Sequence, residues 1–196
     1  MTAPERFDEA YYRRFYGDPE TRVIDAKAVG RLAEFVSSYL RHLDLPLRSA
    51  LDIGCGLGLW QTALRKIHPR IQYQGVEVSS YLCEKHGWEK NSVVDYRSKR
   101  QFDLVICQGV LQYLDDTAAA AAIENLATLT RGALFLEALT VSDWEENCDR
   151  DITDGDVQLR TGKWYRERLG PHFMAAGGGL FVAKSTQISM FELETT

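Results

Sequence analysis

The chain has 196 residues, 45% of them hydrophobic, which suits one compact unit with a continuous core, and no apolar run approaches the roughly 18 to 20 residues needed to cross a bilayer. A net charge of −5 argues against a broad nucleic-acid footprint, which shows as basic excess. The cysteines, Cys55, Cys83, Cys107 and Cys148, share no C-x-x-C pair, and the helix face joining Cys83 to His86 has no second pair to complete a metal site, so reduced thiols and no metal are expected.

The first residues carry charge and aromatics where a signal peptide needs an apolar segment, which predicts a cytoplasmic protein with no membrane partner. Tyr11, Tyr12, Phe15 and Tyr16 surround Arg13 and Arg14 and read as a helix packed across the core with its arginines solvated, although basic residues among aromatics can also hold RNA. Asp18-Pro19-Glu20 offers an N-cap, a first-turn proline and a first-turn acid. Val29, Leu32, Ala33, Val36, Leu40 and Leu43 then recur at helical spacing until Leu45-Pro46.

Apolar strand candidates follow at 50–53, 71–78, 92–94, 102–107 and 133–139, separated by helical segments at 57–67, 79–86 and about 116–130, the last closed by Gly132. Strands that alternate with helices and hold few polar positions imply a parallel sheet covered on both faces, an α/β sandwich whose ligands bind at the carboxyl ends of the strands. Residues 140–162 hold seven acids and two arginines without a clear period and read as a long mobile connection, usable as a lid or to attract a cationic acceptor. A calcium loop through Asp149, Asp151, Asp154 and Asp156 breaks at Thr153-Asp154, and Arg160 stands where its final Glu should be, so a solvated loop is the expectation. A helix at 163–169 and strands at 173–176 and 180–191, flanking Gly177-Gly178-Gly179, predict an antiparallel hairpin at a sheet edge.

Chemistry concentrates where the first strand ends, at Asp52-Ile53-Gly54-Cys55-Gly56-Leu57-Gly58. Alternate glycines let the chain turn sharply and let backbone N–H groups approach a ligand at the positive end of the next helix. A dinucleotide fingerprint from Gly54 would need Gly or Ala at Leu59, and no Gly-Lys-Ser/Thr of a phosphate loop occurs. The acid ahead of the first glycine suits a ligand whose near end is an ammonium. Glu77, 25 positions on at the end of the second strand, suits a ribose diol, because a carboxylate accepts from both hydroxyls.

These residues resemble the first two motifs of class I S-adenosylmethionine-dependent methyltransferases, and residues 102–114 resemble the fourth. The resemblance covers about residues 30 to 140. It implies a Rossmann-like, open, mostly parallel seven-stranded sheet with helices on both faces and an antiparallel C-terminal hairpin. It implies S-adenosyl-L-methionine as cofactor, held by Asp52, Gly54, Cys55, Gly56 and Leu57 at its methionine end, Glu77 and Val78 at the ribose, Asp95 and Tyr96 at the adenine, and Gln108, Gly109 and Val110 beside the sulfonium. Many relatives carry His where this chain has Tyr113. The chain is read as one methyltransferase domain over 1–196, with an N-terminal helical segment at 1–47, a cofactor-binding core at 48–139 and a substrate side at 140–196.

Methyl transfer from a sulfonium is an in-line displacement with a good leaving group, so no catalytic residue is assigned and a base is optional. Tyr11, Tyr12, Tyr113, Glu137, Trp144, Trp164 and Tyr165 are the candidates for the acceptor pocket, against ordinary packing of the aromatics. Gln108-Gly109-Val110 lacks the Pro-Pro-aromatic signature of relatives that methylate exocyclic amines of bases or Gln side chains. The charge balance favours a small-molecule acceptor. A tRNA or protein acceptor, drawing on Arg13-Arg14 and Arg97 to Arg100, and a non-catalytic cofactor-binding protein are the alternatives.

Overall fold

The computed structural model describes residues 6–17 and 25–191. A short helix, α1 (Glu9–Tyr12), runs into a π-helical turn (Arg13–Gly17), and α2 (Ala26–His42) follows. Then come β1 (Ser49–Ile53), α3 (Leu59–Ile67), β2 (Gln72–Glu77), α4 (Ser80–His86), β3 (Glu89–Lys90) and β4 (Phe102–Gln108). The chain continues through α5 (Asp116–Leu129), β5 (Thr130–Glu137), α6 (Val141–Glu146) and α7 (Gly162–Leu169) to a hairpin of β6 (Phe173–Gly177) and β7 (Leu180–Ala183). The strand order is β3-β2-β1-β4-β5-β7-β6, with β1 to β5 parallel and the hairpin antiparallel, which is the architecture the sequence implied.

The central strands are buried on both faces, hence their near-continuous apolar sequence. Side chains alternate across the sheet. Leu51, Ile53, Val105 and Leu134 pack with Ile123 and Leu126 of α5 and Leu169 of α7. Ala50, Leu104, Ile106 and Phe135 pack with Val29, Val36 and Leu40 of α2 and Leu64 of α3 on the other face. Asp103 ties the strand starts together: its buried carboxylate accepts from the Arg48 and Ser49 N–H groups at 2.8 and 2.9 Å and from Arg131 Nε at 2.7 Å. Burial alone would raise its pKa, but those donors outweigh burial and hold it below the usual carboxylate range.

Several elements differ from the sequence expectation. The proposed cap at Asp18-Pro19-Glu20 lies outside the described residues, and within them α2 starts at Asp25, whose carboxylate accepts from Ala28 N–H at 2.7 Å. The third strand is Glu89–Lys90, and 92–94 forms a turn, because the Asn125 amide draws the Val93 and Tyr96 carbonyls toward α5. Gly132 does not close α5. It lies inside β5, where a Cβ would collide with the Asp103 carbonyl, so glycine there permits strand approach. The last strand ends at Ala183, short of 191, since a 3-10 turn (Lys184–Thr186) and Gln187 at φ 56° divert the chain.

Candidate active site

The turns after β1, β4 and β5, the N-terminal segment and the acidic segment line one cavity of about 540 Å3, within the ~300–1,000 Å3 range of small-molecule sites. Its floor is the turn after β1. Gly54, Gly56 and Gly58 all have positive φ, at 75°, 50° and 71°. Val110 occupies the space a Cβ on Gly54 would need, and the Trp88 indole stands 2.8 Å from that of Gly58, so those two glycines serve packing. Gly56 is different: a Cβ there would meet nothing nearer than 4.0 Å, so its bare face is free for a ligand. Trp88 braces the turn from the other side through a 3.0 Å bond from its Nε1 to the Gly56 carbonyl.

Two buried carboxylates meet this turn. Glu77 Oε2 accepts from Gly56 N–H at 2.9 Å, while Oε1 accepts from Val78 and Ser79 N–H at 2.9 and 3.0 Å. A carboxylate has about four acceptor positions, so one remains for a hydroxyl. Asp52 lines the cavity and accepts from the Tyr73 hydroxyl. Burial pushes its pKa up to about 7, only partly offset by that bond, and the charge of Glu77 adds to the rise. A ligand ammonium would return Asp52 to its charged form, which fits the chemistry expected of the amino-acid end of the cofactor.

Gln108, at the end of β4, links the cavity walls. Trp60 Nε1 donates to Gln108 Oε1 at 2.7 Å, which turns Gln108 Nε2 toward Glu137 Oε2 at 3.2 Å. Glu137 stands at the end of β5, open to the cavity, and burial by the surrounding protein raises its pKa, partly offset by Gln108.

The N-terminal segment forms the roof. Tyr11 and Tyr16 line the cavity, and the Tyr11 and Tyr113 hydroxyls are 2.8 Å apart. Burial pushes the Tyr11, Tyr12 and Tyr16 phenols well above their ordinary range, so all three stay protonated. Arg6 stacks over the Tyr113 ring and pairs with Asp154 and Asp156 at 3.3 and 3.2 Å, joining the roof to the acidic segment.

That segment is built, not merely a solvated connection. Thr140 and Asp143 form a capping box that starts α6. Arg160, with its side chain 3% exposed, pairs with Asp116 at 2.7 Å, donates to the Leu111 carbonyl at 3.0 Å and lies over the Trp164 ring. The segment's far end is thereby pinned beside its start, where Thr140 and Arg160 form an isolated bridge. Between them Asn147, Cys148, Asp149, Ile152, Thr153 and Asp154 line the cavity.

Of the residues expected at the cofactor, Asp52, Gly54, Cys55, Gly56, Leu57, Gln108 and Gly109 line the cavity, Glu77 bonds to it, and Val78 and Val110 support the turn. Asp95 and Tyr96 do not reach it. The Asp95 carboxylate accepts from the Ser92 hydroxyl, the Tyr96 N–H donates to the Ser92 carbonyl, and the Tyr96 ring is buried in the core beside α5. Of the acceptor candidates, Tyr11, Tyr113 and Glu137 line the cavity. Tyr12 packs on Tyr16 and Tyr81, Trp144 fills the space over Gly155, Trp164 lies between Arg160 and Arg168, and Tyr165 belongs to the core, so these four are packing residues. Tyr16, Trp60, Gln112, Asp143, Asp149 and Asp154 line the cavity without having been expected there, and Trp88 was missed as the brace of the glycine turn. The only signal for Gln112 was its position just after a strand, for Asp143, Asp149 and Asp154 the acidic segment, and for Tyr16 the N-terminal aromatic run. The basic runs are engaged locally: Arg13 pairs with Glu9, Arg97 bonds the Val94 and Tyr96 carbonyls, and Arg100 bonds Gln72 and covers Phe102.

A doubly wound sheet with an antiparallel terminal hairpin, a glycine turn after its first strand and an acid after its second defines the fold class of the Rossmann-like methyltransferases. Residues 51–134 match the family model described as a methyltransferase domain. The sugar N-methyltransferase KedS8 from Streptoalloteichus superposes with a TM-score of 0.66, at 18% identity, over 93% of this chain and 95% of that one. Magnesium protoporphyrin IX methyltransferase from Synechocystis, solved with S-adenosylhomocysteine, superposes with a TM-score of 0.59, at 20% identity, over 88% and 90%. In sequence the chain is 27% identical over 151 residues to a ubiquinone biosynthesis O-methyltransferase from Methylococcus capsulatus, a match covering 70% of this chain and 61% of that relative's length. Over residues 51–134 the chain is thus similar in sequence to methyltransferase domains, and its fold is the one shared by S-adenosylmethionine-dependent methyltransferases. Among the described residues no helix is long and apolar enough to cross a membrane.

Proposed function

We propose that the protein transfers a methyl group from S-adenosylmethionine to a small-molecule acceptor. The observation that carries this reading is the meeting of Asp52, Glu77 and the open face of Gly56 at one edge of the cavity. When bound, the cofactor supplies an electrophilic methyl on a positively charged sulfur.

The chain's own residues hold and orient. Asp52 takes the cofactor's ammonium, and Glu77 keeps its bonds to Val78 and Ser79 while accepting from a ribose hydroxyl. Gln108 and Gly109 border the reacting centre from the end of β4. The roof of Tyr11 and Tyr16 excludes water. Orientation and desolvation of this kind account for roughly 7–11 kcal/mol of a displacement barrier, so no protein nucleophile is required. Asp95 and Tyr96 recognise adenine in this reading only if the 92–96 turn shifts toward the cavity, since Asn125 holds it against α5. A small-molecule acceptor fits a cavity of this size and basic runs already committed to local partners better than an RNA does.

Calorimetry with S-adenosylhomocysteine tests the assignment. Binding is expected, weakened by Asp52→Ala and by Glu77→Ala. No heat and no thermal shift in the unaltered protein would refute it. Transfer of labelled methyl to metabolite extracts, and not to RNA or protein extracts, is the expected acceptor pattern.

A further inference from the structure

The acceptor end of the cavity carries charge of a single sign. Glu137, Asp143, Asp149 and Asp154 line it, Asp52 adds a carboxylate at the cofactor end, and no Lys, Arg or His lines it among the described residues. Three of these acids have other duties. Asp143 caps α6, Asp149 accepts from Asp151 N–H at 3.0 Å, and Asp154 pairs at the rim with Arg6. Glu137 is less committed: Gln108 Nε2 donates to its Oε2, and its Oε1 has no hydrogen-bond partner among the described residues.

A second observation is independent of the acids. Gln112 also lines the cavity and is nine-tenths buried, with its Nε2 3.7 Å from where a Cβ on Gly109 would stand. Its Oε1 is a buried acceptor without a partner among the described residues. Buried acceptors of this kind are rare in native proteins, and one beside a ligand cavity calls for a ligand donor.

We propose that the methyl acceptor is a primary or secondary amine that binds as its ammonium form against Glu137, with Gln112 accepting one of its N–H bonds. The proposal rests on the methyltransferase reading above. Carboxylates in a partly desolvated cavity attract a cation and repel an anion, and the rings of Tyr11, Tyr16 and Tyr113 add faces that tolerate an ammonium. Arg6, a cation on the roof, is already shared between Asp154 and Asp156.

The chemistry balances. The ammonium loses one proton to Glu137, and the nitrogen lone pair then forms the N–C bond as the C–S bond breaks with its electron pair going to sulfur. The product is the N-methylated ammonium, S-adenosylhomocysteine and protonated Glu137, which returns its proton to water. The desolvation that raises Glu137 improves it as a proton acceptor.

The test is calorimetry on protein saturated with S-adenosylhomocysteine, using matched amine, alcohol and carboxylate probes on three skeletons: phenethyl, hexyl and hexose. The expected result is an amine at least ~10-fold tighter than its alcohol on one or more skeletons, with the carboxylate weakest. Glu137→Gln should remove that preference while changing affinity for S-adenosylhomocysteine less than about threefold. No amine preference on any skeleton, or a preference that survives Glu137→Gln, overturns the proposal. Failure to bind S-adenosylhomocysteine at all instead refutes the methyltransferase reading, and this proposal with it.

Discussion

Glu77→Gln separates the two duties assigned to that side chain. In the protein its carboxylate accepts three backbone N–H bonds, and the amide can preserve the pair from Val78 and Ser79 only by turning its NH2 toward Gly56 N–H. One charge-assisted hydrogen bond is lost, and a buried donor now faces a donor. Hydrogen bonds to charged groups contribute about 1.5–3 kcal/mol, so the fold should lose roughly 2–3 kcal/mol. For a protein of this size that lowers Tm by about 4–12 °C. The ribose hydroxyl loses the same charged acceptor, which weakens S-adenosylhomocysteine by about 10- to 100-fold. Thermal unfolding of the free protein reads the first effect, and calorimetry below the lowered Tm reads the second. If Tm falls while ligand affinity stays within about threefold, Glu77 is a brace for the turn and not a ribose ligand. An unchanged Tm would contradict the bond to Gly56 itself.

Asp52, with its pKa raised to about 7, destabilises the free protein in its charged form, so Tm should fall as pH rises from 6 to 8. Cofactor binding needs the charged form, so affinity for S-adenosylhomocysteine should rise over the same interval, and Asp52→Asn should flatten both trends; a flat profile in the unaltered protein would sink the argument. Gly56→Ala has room for its methyl but not an easy φ, so it should cost about 1 kcal/mol of stability while weakening S-adenosylhomocysteine more than ~10-fold, because the methyl stands in the ligand's path. Should affinity fall by no more than the stability loss implies, the bare face of Gly56 has no ligand role. Arg160→Lys should lower Tm by about as much as Arg160→Ala, since one ammonium cannot serve Asp116, the Leu111 carbonyl and the Trp164 face together; rescue by lysine would show that charge alone suffices.

The sheet was legible because its strands are covered on both faces: β1, β4 and β5 have near-continuous apolar sequence, and helices with a clear stripe separate them. The elements that were misread are those whose conformation is set by a distant side chain. Asn125 turns the 92–94 stretch away from a strand, Asp103 and Gly132 bring β4 and β5 together where a helix end was expected, and Gln187 diverts the last strand. The acidic segment lacked a period because its order comes from a capping box and from Arg160 buried against Asp116, contacts that span too many residues to leave a local pattern.

At the site, the placement of Asp52, the glycine turn and Glu77 at adjacent strand ends could be read directly, because a strand end and a positive φ leave a signature in residue type. The acceptor side could not. Tyr12, Trp144, Trp164 and Tyr165 had the same chemistry as Tyr11 and Tyr113, and only their position in the fold sorted packing from lining. The sequence by itself determined the class of fold and the acid and glycine turn that end its first strand, since both are encoded in short local patterns. Only the tertiary structure decided which acids line the cavity, that Gln108 turns toward Glu137, and that Arg6 joins roof to loop, because each depends on side chains brought together from separate parts of the chain.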